Sequence, residues 1–590
     1  MTQAATADIP LPPPPPAPLW RDGLRDAWSL SAPFWRHDRK GWWQLAVTVA
    51  LTLAIVWLNV RFSEWNNAFY DALQTRDLAV FWRQLGVFGI LAAAFIVLAV
   101  VRQVVQQRLV MHWRTGMTEQ LLGRWLSPGT PYRLGASGIG AGLDNPDQRI
   151  ADDIRSFVAS SIDLVLGLLN ATVTLFSFVA ILWGLSGSFT VGWPAPGWVL
   201  PGYMVWVAIA YAGIGSWIVR RLGAPLVPTN ARQQRVEADF RYALVQVRDH
   251  AEAIALARGE GAEHQRLRTR FDSIRDNWDN VIRYNKRLTW FSSGYSQLAN
   301  IFPLLAAAPR YFSGQIQLGG LMQTAQAFGQ VQGALSWFID AYTSLADWRA
   351  TVLRLAAFRN AMSHEAVEAA AVVPTVDAVE LQVRDLAVAP PGSPVLLQLP
   401  ELSLRAADWM LVTGPSGSGK SSMLRTLAGL WEPRSGTVTV PPGAMFVAQR
   451  PYLPHDSLAA VLAYPHAESA FERDAMVQAL EQAELGVYAG QLADVEAWSR
   501  RLSPGEQQRV QFARLFLHRP RWIVLDESTS ALDEAMQSLL LERLRAALPE
   551  AGVLHVSHRS ELLELHDGVL HVHDGVMQLR SPFPVPLPVV

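Results

Sequence analysis

The run Gly414-Pro415-Ser416-Gly417-Ser418-Gly419-Lys420-Ser421 has the residue types and spacing of a phosphate-binding loop. Glycines let backbone N–H groups approach an anion closely, and the N-terminus of a following helix adds positive potential. An apolar, strand-like stretch, Trp409 to Thr413, precedes the loop, and a helical pattern runs from Ser422 to Leu430. Lys420 is then expected to reach the β- and γ-phosphates of ATP, and Ser421 to ligand Mg²⁺, with Ser422 in the same phosphate-binding set. Lys420 is one of only three lysines in a chain otherwise rich in arginine, so a compact ammonium stands where a planar guanidinium would not substitute easily. A second apolar strand, Trp522 to Leu525, ends in Asp526-Glu527. Asp526 suits a water-mediated hold on Mg²⁺, and Glu527 suits a general base that polarises the attacking water. Taken alone, this pair would be a strand end with solvated acids; the phosphate loop gives it a chemical reading.

The elements that must position these groups fall into two regions. From about residue 375 to 590 short strands alternate with helices, the pattern of an α/β P-loop NTPase domain. Upstream the composition differs. Half of all residues are hydrophobic and only 17% are charged, and the charge deficit is concentrated between residues 41 and 360. Gly41 to Val60 and Gln84 to Val101 carry no charge, nor does Leu164 to Val219, which is long enough for two crossings with a Gly/Pro-rich turn between Gly184 and Gly202. Leu288 to Pro309 and Tyr311 to Ile339, separated by Arg310, complete an expected six spans, each near the length of about 20 residues that a bilayer requires. The Arg-rich connections, Arg102 to Arg155 and Arg220 to Arg287, have helical periodicity, as at Phe240, Leu244 and Val247, and belong on the cytosolic side. Both termini are therefore expected in the cytosol. Residues 1–40, with prolines from Pro12 to Pro16 and then Arg21, Arg25, Arg36, Arg39 and Lys40, read as a cytosolic Pro-rich and basic tail.

Other classes are excluded or left open. A net charge of −1 offers no footprint for a nucleic-acid partner, and the absence of cysteine removes disulfides and thiolate metal sites. Gln323, Gln326 and Gln330 share one face of the sixth expected span. They suit either the lining of a polar cavity or hydrogen bonding between helices.

Leu502-Ser503-Pro504-Gly505-Glu506-Gln507 resembles the signature of the ATP-binding cassette (ABC) family, with proline in place of the first family glycine. Ser503 reads as an N-cap, Pro504 as a first-turn residue and Glu506 as the capping-box partner, so a hydroxyl and the Gly505 amide would face a γ-phosphate. The resemblance implies a Q-loop role for Gln449 toward metal and water, a D-loop at Ser530-Ala531-Leu532-Asp533, and a γ-phosphate contact for His558. The family's adenine-stacking aromatic is missing, since the matching stretch reads Leu386-Ala-Val-Ala-Pro390.

Trp65-Asn-Asn-Ala-Phe-Tyr-Asp71, Asn145-Pro-Asp-Gln-Arg149, and Arg310-Tyr-Phe followed by Leu318-Gly-Gly-Leu-Met322 are similar to SbmA/BacA-type membrane domains. Thr413-Gly-Pro, Gly429-Leu-Trp431 and Glu506-Gln-Gln-Arg509 are similar to the fused, YddA-like permease–ATPase type and to peroxisomal fatty-acyl half-transporters. This likeness implies an exporter-type helical membrane domain, and a homodimer that sandwiches ATP between the phosphate loop of one copy and the signature of the other. It further implies an amphiphilic cargo (peptide, cobalamin or long-chain acyl compound) and a place in a bacterial inner membrane. Coupling elements are expected near Asn145 to Gln148, which would equally serve as a helix-capping turn, and near Tyr242 to Asp249. An ATP-gated sensor or channel without uphill transport is the alternative.

Overall fold

The computed structural model describes residues 20–136, 146–191, 198–368, 380–390 and 393–580. Most of the Pro-rich tail, Asn145 and the expected domain boundary near residue 375 lie outside them. The chain divides into two compact units, one of residues Met1–Leu122 and Asn145–Phe358, the other of Gly123–Asp144 and Arg359–Val590.

The helical unit follows the charge-free runs. Helices α1 (Trp20–His37), α2 (Arg39–Thr75) and α3 (Leu78–Trp125) come first. The short α4 (Thr130–Ala136) and α5 (Pro146–Gln148) precede α6 (Ile154–Ser186), and a five-residue π-helix, Arg149–Asp153, joins α5 to α6. The expected turn between Gly184 and Gly202 contains an antiparallel hairpin of β1 (Ser188–Val191) and β2 (Trp198–Pro201), flanked by Gly187 and Gly202 at φ +62° and +66°. Then follow α7 (Tyr203–Gly223), α8 (Leu226–Asp249), α9 (Ala251–Leu256), α10 (Glu260–Phe312) and α11 (Leu318–Glu368).

Among the described residues, four stretches are long and apolar enough to cross a membrane: Arg39–Thr75, Leu78–Trp125, Pro146–Ser186 and Tyr203–Asp249. The expected fifth and sixth spans do form helices, α10 and α11, of 53 and 51 residues. They fall outside that group because serine, asparagine and glutamine dilute their apolar stretches. The break between them is not at Arg310. Helix α10 continues to Phe312, and α11 begins at Leu318, so Tyr311 closes the fifth helix rather than opening the sixth.

Tyr242 to Asp249 forms the last turns of α8; the chain reverses after it, through α9 and Arg258 at φ +53°. Buried Asp153 accepts a bidentate pair from Arg354 at 2.7 and 2.9 Å and a third bond from Arg149 at 2.8 Å, tying the start of α6 to α11. The glutamine face of α11 supports the interhelical reading at two of its three positions. Asn67 Nδ2 donates to Gln323 Oε1 at 2.7 Å, and Asn66 Nδ2 to Gln326 Oε1 at 2.9 Å.

The second unit is built on strands β3 (Leu381–Val388), β4 (Leu397–Leu404), β5 (Trp409–Thr413), β6 (Ser435–Thr439), β7 (Met445–Val447), β10 (Trp522–Asp526), β11 (Gly552–Val556), β12 (Gly568–His573) and β13 (Val576–Arg580). They form one mixed sheet in the order β6-β3-β4-β13-β12-β5-β11-β10-β7. Its β12-β5-β11-β10-β7 portion is parallel. Alternation divides the core: Leu411, Ile523, Leu525 and Val553 face one apolar cluster, and Val412, Val524, Leu554 and Val556 the other. Helices α12 (Lys420–Leu427), α13 (Leu458–Ala463), α14 (Arg473–Gln482), α15 (Trp498–Arg501), α16 (Pro504–His518) and α17 (Glu534–Ala547), with the small pair β8 (Asp456–Ser457) and β9 (Val495–Glu496), complete the unit.

One buried group makes this fold pH-sensitive. His555 on β11 is fully buried, with Nδ1 3.3 Å from His566 Nε2. Burial, with a smaller push from His566, lowers its pKa to about 3. In the unfolded chain a histidine titrates near 6.5, so below that pH the unfolded state binds the extra proton. This contribution to stability is complete above pH 6.5 and is lost, by about 1.4 kcal/mol per pH unit, as pH falls toward 3. Thermal unfolding between pH 7.5 and 5 should show the cassette melting earlier as pH drops, with a shallower slope in His555→Leu. An unchanged slope in that variant would rule out His555 as the source.

Candidate nucleotide site

The phosphate loop leaves the sheet at the C-terminal end of β5, where an α/β fold presents its ligand sites. Gly417 and Gly419 have φ of +80° and +93°, which side chains other than glycine adopt only at a cost. At Gly419 a Cβ would also press on Leu397, its Cβ 3.1 Å away. Helix α12 starts at Lys420, so loop amides and a helix N-terminus converge in the way an anion requires. Lys420 is buried and donates to the carbonyls of Gly414 at 2.9 Å and Pro415 at 2.7 Å. Burial lowers its pKa, opposed by the carboxylates of Glu527 and Asp526.

Strand β10 brings the acidic pair alongside this loop. Ser421 Oγ donates to Asp526 Oδ1 at 3.0 Å. Burial, helped by the neighbouring Glu527, raises the pKa of Asp526 against the opposing effects of the Ser421 hydroxyl, Arg425 and Lys420. A serine hydroxyl and a carboxylate next to a phosphate loop are hard oxygen donors of the kind Mg²⁺ takes. The residues therefore fit that ion.

Glu527 is held at three points. Its backbone, at φ +46°, donates N–H to the Val556 carbonyl at 3.1 Å. Its Oε2 accepts from Gln449 Nε2 at 3.0 Å, and its Oε1 lies 2.8 Å from His558 Nε2. Residues 420, 421, 449, 526, 527 and 558, expected from four separate stretches of sequence, thus converge on one end of the sheet. A carboxylate gripped on both oxygens cannot rotate away, the condition for a base that must meet a water in one orientation.

The signature residues lie elsewhere. Ser503 caps α16 in a complete capping box: its Oγ accepts from Glu506 N at 3.3 Å, and its own N–H donates to Glu506 Oε2 at 2.9 Å. Pro504 occupies the first turn without disturbing the helix, as expected. Burial pushes the Glu506 carboxyl up, but the Ser503 donors and Tyr488 outweigh this and hold it below its usual range. Among the described residues, Ser503, Gly505 and Glu506 make no hydrogen bond to the phosphate loop of their own chain. Asp533 caps α17 by accepting from Met536 N at 2.8 Å. The stretch from Leu386 to Ala389 is buried and supplies no ring for stacking.

Three residues to which the motifs give no role connect these parts. Gln508, Gln511 and Arg514 fall at three-residue spacing along α16 and are all buried. Gln508 donates to Ser530 Oγ at 3.1 Å and accepts from Ala531 N at 2.8 Å, gripping the D-loop. Gln511 donates to the carbonyl of Ala448, next to Gln449, at 2.8 Å. Arg514 holds the carbonyls of Tyr452 and Val461 at 2.9 and 2.8 Å, and burial lowers its pKa to about 10. The signal was present: polar residues at i, i+3 and i+6 on the face of a helix that otherwise buries valine, phenylalanine and leucine.

Comparisons with known proteins agree with this geometry. A family model described as "ABC transporter transmembrane region 2" matches residues 30–312, and one described as "ABC transporter" matches 397–530. The Escherichia coli protein "Inner membrane ABC transporter ATP-binding protein YddA" is 32% identical over 92% of this chain and 96% of its own length. An Arabidopsis thaliana relative, "ABC transporter D family member 2, chloroplastic", is 31% identical over 95% of this chain and 88% of its own. The mouse "Lysosomal cobalamin transporter ABCD4" is 28% identical over 79% and 81%. Among solved structures, a bacterial Atm1-family ABC exporter with ATP bound superposes with a TM-score of 0.71 at 17% identity, covering 92% of this chain and 95% of that one, a likeness of fold. The chain belongs to the ABC transporter family, as an ATP-binding membrane transporter of the YddA-like fused permease–ATPase kind with an exporter-type fold.

Proposed function

We propose that two copies of this chain form a homodimeric transporter that couples ATP binding and hydrolysis to alternating access for an amphiphilic cargo. The observation that carries this reading is Glu527 fixed between Gln449 and His558, beside the Ser421–Asp526 pair and the phosphate loop. That is an arrangement for hydrolysis, beyond mere nucleotide binding. Lys420 and the loop amides from Gly414 to Ser422 would bind the phosphates, while Glu527 orients and deprotonates the attacking water and His558 steadies the γ-phosphate. Ser421, Asp526 and Gln449 would hold Mg²⁺, which supplies charge neutralisation at the phosphates when bound.

Among the described residues Ser503 and Gly505 make no hydrogen bond to their own phosphate loop, which leaves them to serve another copy; a twofold partner would bring a second signature to the loop, giving two equivalent sites. Residues 41–360 are assigned to a six-span membrane domain and 375–590 to the cassette. Positive-inside reasoning favours both termini in the cytosol, with residues 1–40 as a cytosolic tail. The name of the E. coli relative favours the bacterial inner membrane, and the name of the mouse relative keeps cobalamin among the cargo classes, beside peptides and acyl chains.

In sealed vesicles, wild-type protein should accumulate one of these cargo classes against its gradient with ATP, and Glu527→Gln should not. Equal uptake by the two would overturn active pumping. ATP turnover without uphill accumulation of any class would favour a gated sensor or channel.

A further inference from the structure

Polar side chains near the end of α2 reach across to the start of α11. Asn67, Asp71 and Gln74 fall at i, i+4 and i+7, and so share one face of α2, with Asn66 at its edge. Asp71 Oδ1 accepts from the Gly319 amide at 2.8 Å, and Gln74 Oε1 from the Leu318 amide at 2.6 Å. Asn67 and Asn66 then donate to Gln323 and Gln326, one and two turns further along α11. Gln317, which precedes α11, is not a preferred capping residue. Two of the unpaired amides at the helix start are instead capped by another helix, one of them by a carboxylate where the helix dipole favours it. The backbones ride against each other here, since a Cβ on Gly319 would collide with the carbonyl oxygen and side chain of Asn67 and with Asp71.

From one turn beyond Gln323, α11 buries apolar residues. Ala327, Phe328 and Val331 pack into a fully buried apolar cluster with Phe178 and Leu182 of α6 and Met204, Val205 and Ala208 of α7. Parting that contact in an aqueous opening would expose apolar surface, an unfavourable change. Val60 of α2, two turns before Asn67, also packs on that cluster, but at the seam itself parting exposes donors and acceptors that water can satisfy. The seam also lies beyond Arg61, at the end of the spans remote from the Arg-rich connections.

We propose that the seam of Asn66, Asn67, Asp71 and Gln74 against Leu318, Gly319, Gln323 and Gln326 is the outer gate of the transport pathway. Helix α2 parts from α11 along this line while α11 stays packed on α6 and α7, and cargo crosses the opened line. The proposal rests on the transporter reading above and on its orientation.

Because the chain has no cysteine, a single introduced thiol reports alone. Ser63 is fully buried and lies one turn before Asn67 on the same face of α2, so Ser63→Cys places a nearly isosteric probe under the seam. The measurement is the labelling rate by an aqueous, membrane-impermeant maleimide, on the full chain in lipid nanodiscs. The S63C protein without nucleotide should label slowly. Adding Gly319→Ala, which wedges the seam, or Asp71→Leu, which removes a rung, should speed labelling roughly tenfold. Asp71→Asn keeps an acceptor and should stay slow, which separates loss of the latch from general misfolding. ATP with Mg²⁺ in the Glu527→Gln background should also speed labelling. If neither Gly319→Ala nor Asp71→Leu labels faster than the parent, the gate is refuted. Nucleotide trapped in Glu527→Gln with labelling unchanged overturns the gate and leaves the transporter standing. Fast labelling in both seam variants, with no nucleotide trapped in Glu527→Gln, keeps the gate and overturns the transporter reading on which it rests.

Discussion

Glu527→Gln should lower ATP turnover by about two to four orders of magnitude while leaving nucleotide binding intact. The substitution keeps the size and shape of the side chain but removes the basic oxygen. In the native site both carboxylate oxygens are engaged, one by Gln449 at 3.0 Å and one by His558 at 2.8 Å. An amide in that grip must turn its NH₂ toward one of the two partners and can no longer take a proton from water. Nothing on the phosphate loop changes, so affinity for ATP should hold. Steady-state hydrolysis beside equilibrium nucleotide binding separates the two effects. Turnover within tenfold of wild type would mean that another group serves as base.

Lys420→Ala should abolish turnover by a different route, through loss of binding. The ammonium is buried and donates to Gly414 and Pro415, so the loop is already folded around it. With ATP bound the same ammonium would donate to the phosphates, and charge-assisted hydrogen bonds contribute about 1.5–3 kcal/mol each, so losing two of them weakens binding by roughly a hundredfold or more. Lys420→Arg should not rescue the activity, because a planar fork cannot enter the turn of a loop shaped for a point charge. The contrast between the variants is itself informative: Glu527→Gln binds ATP and does not cleave it, whereas Lys420→Ala does neither. Near-normal hydrolysis by Lys420→Ala would refute the assignment of the site.

These roles were legible in the sequence for a physical reason. Phosphate binding needs consecutive backbone amides, so glycines, lysine and serine must be contiguous, from Gly414 to Ser421. The carboxylates must stand at a strand end, and the apolar run before Asp526 marks it. The charge-free runs foretold the apolar helices in the same way, since the cost of a buried charge leaves a linear trace. What could not be read depends on partners far away in the chain. Asn67 and Gln323 are 256 positions apart, and no local pattern pairs them. Gln508, Gln511 and Arg514 have partners in other segments, and only packing shows them buried against the Q-loop and the D-loop. The break after Phe312 was misplaced because a charged Arg310 resembles a span boundary, whereas its guanidinium turns back to the Leu185 carbonyl and lets the helix continue.

Everything functional above depends on a nucleotide held between two chains. The most direct check is to purify the full-length protein in nanodiscs, sort the particles by the number of chains they contain, and measure ATP hydrolysis in each fraction. Hydrolysis confined to particles with two copies, and absent from those with one, is the expected result. Full-rate hydrolysis by particles holding a single chain would contradict it.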